Sequence, residues 1–126
     1  MARHNDTGRL GESIARQFLI DRGLNYITGN YHCRYGELDL VMNDAGMLAI
    51  IEVRYRRKTN FMSPITSVSR QKQLRIMRAT QHFLSQHSDC ENIPVRFDVV
   101  GITGSPDNSD INWIPAAFTM DDLGGQ

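Results

Sequence analysis

Glu37-Leu38-Asp39-Leu40-Val41-Met42, then Asn43-Asp44-Ala45-Gly46, then Met47-Leu48-Ala49-Ile50-Ile51-Glu52-Val53-Arg54 is the stretch that decides the fold. Two apolar runs flank a cluster of turn formers, which is the pattern of a β-hairpin with a four-residue turn. Residues two apart on a strand share a face, so Glu37 lies with Asp39 and Glu52 with Arg54. Leu38, Leu40 and Met42 are expected to project the other way. In ordinary hairpin register Asp39 and Glu52 come close to opposite one another, with about 4–5 Å between directly opposed Cβ atoms. Two anions that close repel unless a cation sits between them. Mg²⁺ or Mn²⁺, hard ions that take oxygen ligands and keep several waters, suit such a pair left open to a phosphate. The plainer alternative is that the carboxylates pair with the basic residues after Glu52, or guard a wet sheet edge against aggregation.

Toward the N-terminus, Leu10, Ile14, Ala15, Phe18 and Leu19 recur at helical spacing, which predicts an amphipathic helix over 7–22 closed by Gly23. Leu24-Asn25-Tyr26-Ile27 reads as a short strand, followed by a loop through Gly29 and Asn30 to Arg34. Beyond the hairpin, residues 55–60 read as a loop. A second helix is expected to start near Ser67 or Ser69 and run to Ser85. Its Leu74, Met77, Ala79, Phe83 and Leu84 are expected to face the core, with Lys72, Arg75 and Arg78 along a neighbouring face. A strand over 94–100 ends at Gly101, a turn-rich loop covers 104–109, and a short strand covers 111–114. The order helix, three strands, helix, strand, strand implies an α/β domain with a mixed β-sheet flanked by helices.

A chain of 126 residues can build one ordinary core and not two. We therefore read residues 1–126 as a single domain, with 1–6 and 119–126 expected to be flexible. No apolar run approaches the roughly 20 residues of a membrane span, and the polar start lacks a signal-peptide core. A cytoplasmic protein without membrane association is the expectation. Cys33 and Cys90 are too few for a disulfide scaffold.

The net charge is zero, but the charges are unevenly placed. Arg54, Arg56, Arg57, Lys58, Arg70, Lys72, Arg75 and Arg78 follow one another with no carboxylate between them, whereas after Gln86 the sign reverses, through Asp89, Glu91, Asp98, Asp107, Asp110, Asp121 and Asp122. A neutral total can thus hide a positive face able to meet a polyanion, although such a face is often only solvated surface. The histidines and cysteines lack zinc-ligand spacing. Asp98, on an apolar strand, reads more naturally as a partner for a buried arginine or backbone donor than as a ligand. Trp113 and Phe118 read as packing residues. No phosphate-binding glycine loop and no Ser-His-Asp order is visible.

Taken in order, Gly11-Glu12, Gly36-Glu37-Leu38-Asp39-Leu40-Val41, Glu52-Val53-Arg54-Tyr55-Arg56 and Arg96-Phe97-Asp98-Val99-Val100 resemble the YraN family, a small group regarded as endonucleases. The resemblance covers roughly residues 8–101, and the ordered set is more specific than any single motif. That family is similar to archaeal Holliday-junction resolvases and to the wider PD-(D/E)XK nucleases. The resemblance implies a restriction-endonuclease-like core with metal ligands at Asp39 and Glu52 and Glu12 as a third acidic contributor. It also implies that Gln71 and Lys72 open a helix that approaches the site. One departure stands out: Glu-x-Lys of the superfamily reads Glu52-Val53-Arg54 here. A guanidinium keeps its proton near neutral pH, so Arg54 could bind the scissile phosphate but is a poor general base. Lys58 or Lys72 are candidates for the vacant role.

The leading expectation is a metal-dependent endonuclease acting on DNA, branched DNA included. Asp39 and Glu52 would hold Mg²⁺ or Mn²⁺, and Arg54 would steady the phosphate. Arg56, Arg57, Lys58, Arg70, Lys72, Arg75 and Arg78 would follow the DNA backbone. Two other readings stay open: a catalytically inactive nucleic-acid-binding module of nuclease fold, and a protein-interaction subunit without a nucleic-acid role. A homodimer is an option, because resolving a four-way junction calls for two active sites.

Overall fold

In the computed structural model the strands on either side of the predicted turn run closer together than the turn formers suggest. The described residues are 2–56, 68–90, 92–105 and 107–119, without the side chains of residues 2–8 and Arg56. Strand β2 spans Gly36–Asp44 and strand β3 spans Met47–Arg56, so only Ala45 and Gly46 remain between them. Both have positive φ, 53° and 91°, as a two-residue type I′ turn requires. The Asn43 side chain accepts a hydrogen bond from the Gly46 N–H at 3.0 Å, which tightens the turn. The four-residue turn is thereby corrected to two, and the strands close at Asp44↔Met47 and pair as far as Leu40↔Ile51. One step further along that register sets Asp39 directly across from Glu52.

The remaining elements follow the predicted order. Helix α1 spans Ala2–Asp21, strand β1 Asn25–Cys33, helix α2 Arg70–Gln86, strand β4 Val95–Ser105 and strand β5 Asn108–Phe118, with a short 3₁₀ turn at Ser88–Cys90. The sheet order is β1-β2-β3-β4-β5, with β3 and β4 parallel and the other neighbours antiparallel. Ser69 caps α2 by accepting from the Lys72 N–H at 3.1 Å, at one of the two predicted starts. The other predicted start, Ser67, lies outside the described residues, as do Arg57, Lys58 and the tail from Met120 on.

The helices cover opposite faces of the sheet. Ala15 and Leu19 of α1 pack with Leu40, Met42, Ala49, Ile51, Val100 and Ile102, whereas Ile76, Met77, Ala79 and Phe83 of α2 pack with Val41, Leu48, Ile50, Phe97 and Val99. Burial on both faces explains why β3 and β4 read as nearly continuous apolar runs.

Several boundaries differ from the sequence pattern, each for a tertiary reason. Residues 29–33, expected as loop, belong to β1 because Gly29 pairs with Leu40 and Tyr31 with Leu38. Pairing recruits Gly29 and Asn30 despite their poor strand propensity. Strands β4 and β5 likewise extend well past residues 94–100 and 111–114, because each completes the other's ladder. Helix α1 begins at Ala2, five residues before the predicted start at residue 7. Leu74, expected in the core, is exposed, and Ile76 and Thr80 take the inward face instead. Leu38, expected to share a face with Leu40 and Met42, packs on the α2 side, and they pack on the α1 side. Alternation fails there because the β2–β3 ladder stops between them, at Leu40.

Candidate active site

The ladder stops because a side chain takes over a main-chain bond. In the register of β2 and β3, Val53 falls opposite Leu38, yet the Val53 N–H donates to Asp39 Oδ2 at 2.8 Å. The carboxylate thus satisfies a strand donor, and β2 departs from β3 at the point where the acidic residues gather. Sequence alone gives no sign of this bond, since it follows from the two-residue turn.

Asp39 and Glu52 face each other across the two strands, close enough for each to act on the other's carboxyl. Glu52 is 5% exposed, with Arg54 Nε at 3.5 Å and Lys72 Nζ at 3.7 Å from its Oε2. Burial first, and then the Asp39 charge, push the Glu52 carboxyl up to about 8, against the pull of Lys72 and Arg54. Burial also raises Asp39, and the Val53 N–H and the contact with Glu52 work the other way. Two carboxyls this close, each pushed up by its surroundings, hold less negative charge than two free carboxylates would.

Glu12 joins from α1. Its carboxyl is pushed up to about 7, first by burial and then by the charges of Asp39 and Glu37. Space for it comes from small neighbours: a Cβ on Gly29 would lie 3.2 Å from Glu12 Oε1 and 3.3 Å from the Asp39 carbonyl oxygen. A Cβ on Gly11 would lie 3.3 Å from the Tyr55 ring, so this glycine lets α1 settle close to β3. Glu12 also lines a cavity of about 120 Å³ with Arg9, Ser13, Arg16, Tyr26 and Leu40, where Arg16 lies 3.5 Å over the Tyr26 ring.

The structure thus gathers Glu12, Asp39, Glu52 and Arg54, and adds Lys72 from α2. Of the basic residues expected along a nucleic-acid path, Arg70, Arg75 and Arg78 are exposed on α2. Arg56 closes β3, and its side chain is not among those described. Lys72, Arg75 and Arg78 have equal spacing in sequence, yet only Lys72 reaches the carboxylates.

Asp98 lies elsewhere and is fully buried. It accepts from Arg96 Nε at 2.8 Å, Arg96 Nη2 at 2.9 Å, Trp113 Nε1 at 3.0 Å and the Ala116 N–H at 2.9 Å. It is the structural partner of an arginine and of backbone, and Trp113 serves that knot as much as the core.

The donor set at Asp39 and Glu52 is chemically of the kind a hard divalent cation takes: carboxylate oxygens from two adjoining strands. Among the described residues no group of three or more His, Cys, Asp or Glu side chains is arranged to hold a metal ion, so any site would rest on the pair. Cys33 and Cys90 are free thiols.

Fold and site together define an α/β domain whose five-stranded mixed sheet lies between two helices, consistent with a restriction-endonuclease-like core. The model of the uncharacterised protein family UPF0102 matches residues 11–102. The chain belongs to this family, the YraN-like group whose motifs its sequence resembles. It is similar to the UPF0102 protein of Saccharophagus degradans, 45% identical over 122 residues that cover 97% of this chain and 100% of the relative. The UPF0102 protein of Nitrosococcus oceani is 45% identical over 120 residues, 95% of this chain and 97% of the relative. That of Coxiella burnetii is 40% identical over 110 residues, 87% and 89%. Among the described residues no helix is long and apolar enough to cross a membrane.

Proposed function

We propose that this protein is a metal-dependent endonuclease that hydrolyses phosphodiester bonds in DNA, branched DNA included, in the cytoplasm. The observation that carries the reading is the Asp39–Glu52 pair, set across from each other on adjoining strands with Lys72 and Arg54 against the buried Glu52. Mg²⁺ or Mn²⁺ held by that pair would supply an acidified water and offset charge on the phosphate. The chain's own groups do the rest. Asp39 is oriented by the Val53 N–H, which fixes its Oδ2. Arg54 suits the phosphate oxygens as a bidentate donor, and Lys72 supplies the ammonium that the Glu-x-Lys pattern lacks, from a helix instead of the strand. Arg70, Arg75 and Arg78 of α2, with Arg56, Arg57 and Lys58, would bind backbone phosphates without reading bases. A homodimer would place two such sites on one junction.

The test is cleavage of duplex, flapped and four-way DNA in Mg²⁺ or Mn²⁺, with Asp39→Ala and Glu52→Ala beside the parent. Each variant is expected to lose about 10²-fold or more, as when a group that stabilises the transition state is removed. Equal rates in parent and variants would refute the assignment. Arg54 in place of lysine favours a second reading, a DNA-binding module without turnover. Salt-sensitive DNA retention with no cleavage in either metal would select it.

A further inference from the structure

The β1–β2 turn carries an exposed aromatic residue at the end of the basic face of α2. Tyr35 is 39% exposed. Its hydroxyl accepts from Arg34 Nη2 at 2.8 Å, and the Arg34 guanidinium lies 5.0 Å from the ring centroid. The turn is pinned to the helix. Gly36, with φ +151°, lies so near α2 that an added Cβ would stand 3.4 Å from Arg75 Cβ and 3.5 Å from the Arg75 carbonyl oxygen. The ring of His82, one α2 turn beyond Arg78, lies 6.1 Å from that of Tyr35, and His82 Nδ1 is hydrogen-bonded to the buried side of the turn through the Tyr31 hydroxyl. Tyr35 is therefore an exposed ring tied at its hydroxyl to Arg34 and lying beside His82.

Its place relative to the acidic pair follows from element geometry. Tyr35 precedes Asp39 by four residues on or beside β2, about 13 Å at the usual strand rise. Along α2, Lys72 at Glu52 and His82 at Tyr35 are ten residues apart, about 15 Å at helical rise. The two paths agree, and the exposed Arg75 and Arg78 lie on the stretch between. No carboxylate interrupts α2. A strand of DNA with its scissile phosphate at Asp39 and Glu52 would meet cationic groups along the helix and then an aromatic face within about four nucleotides. A paired base keeps its faces inside the duplex stack, so only an unpaired base can lie on that ring.

We propose that Tyr35, backed by Arg34 and His82, is a stacking platform for an unpaired DNA base near the scissile phosphate, which makes flapped or otherwise open DNA the preferred substrate class. This deepens the nuclease reading and rests on its DNA-binding half. The test is binding of the full chain, without divalent metal, to a flapped DNA carrying 2-aminopurine at each of its first four unpaired positions in turn, with a fully paired duplex as comparison. The parent is expected to quench one position most strongly and to bind the flap more tightly than the duplex. Tyr35→Leu is expected to lose the quenching and to weaken flap binding roughly ten-fold with duplex binding unchanged, and Tyr35→Phe to behave as the parent. Parental quenching by Tyr35→Leu, or an equal loss on flap and duplex, would overturn the platform and leave the nuclease reading intact. Tyr35-dependent flap binding without cleavage in Mg²⁺ or Mn²⁺ would support the platform and remove turnover. A parent that binds neither DNA would overturn both.

Discussion

Glu52 and Asp98 sit on the two parallel strands at the centre of the sheet, one residue out of register, and both are buried, yet their surroundings are opposite in kind. Asp98 meets four hydrogen-bond donors, and its Arg96 is shared with Asp44. Glu52 meets another carboxyl, and its two cations stand at 3.5 and 3.7 Å, beyond close contact. A buried carboxylate that is fully supplied with donors holds a fold together. One that is crowded by a second acid and pushed toward its neutral form is poised for a ligand.

The largest expected effect is on the supplied carboxylate. Asp98→Ala leaves the Trp113 and Ala116 N–H groups without their acceptor and Arg96 with only Asp44 at 3.0 Å, and should cost about 3–5 kcal/mol in urea unfolding, as breaking a buried ion pair does. A cost below about 1 kcal/mol would show that the two carboxylates differ less than their contacts suggest. Next comes the division of labour beside Glu52. Lys72→Met is expected to lower cleavage about 10²-fold, whereas Arg54→Lys should stay within about ten-fold of the parent, because an ammonium is already in place. Parental rates in Lys72→Met would remove Lys72 from the reaction, and a large gain in Arg54→Lys would show that the arginine limits it.

The third effect is on pH. Glu52 moves from 4.5 to about 8 and Glu12 from 4.5 to about 7 on folding, so between those values the folded state binds more protons than the unfolded one. Stability contributed by these groups is present at low pH and lost as pH rises through about 4.5 to 8. Without divalent metal, thermal unfolding should show a fall on the order of 1–3 kcal/mol across that window, which Glu52→Gln should flatten. Because only ionised carboxylates ligate well, Mg²⁺ should raise the melting temperature more at pH 8.5 than at pH 6. A stability that rises over the same window would contradict the crowding of the acids. The smallest effect is on the helix face. Arg75→Ala and Arg78→Ala should each lower the slope of log affinity against log salt by about 0.9, equally for any DNA sequence. An unchanged slope would take that residue off the backbone path.

Much of this was legible in the chain. The hairpin, the element order and the mixed sheet follow from alternation and turn chemistry, and the acids at 39 and 52 stand out because carboxylates are rare among apolar strand residues. What escaped is instructive residue by residue. The 43–46 cluster predicts a turn but not its size, because Asn43 and Asp44 suit a strand end as well as a turn. Leu74 looks like a core residue and is exposed, because the inward face of α2 is set by where Ile76, Ala79 and Phe83 meet the sheet. The Val53–Asp39 bond could not be foreseen, since it needs the strands to part at one place.

The sequence by itself determined period, polarity and order: which segments are strands and helices, where acids interrupt apolar runs, and that positive charge follows Glu52. The tertiary structure alone decided which residues meet. Asp39 lies across from Glu52 because a two-residue turn sets the register, and Lys72 rather than Arg75 or Arg78 reaches them because burial of the opposite helix face fixes the rotation of α2. Local patterns are read from neighbours within a few residues, whereas a site is made of side chains brought together across the core, where packing chooses among residues that sequence makes equivalent.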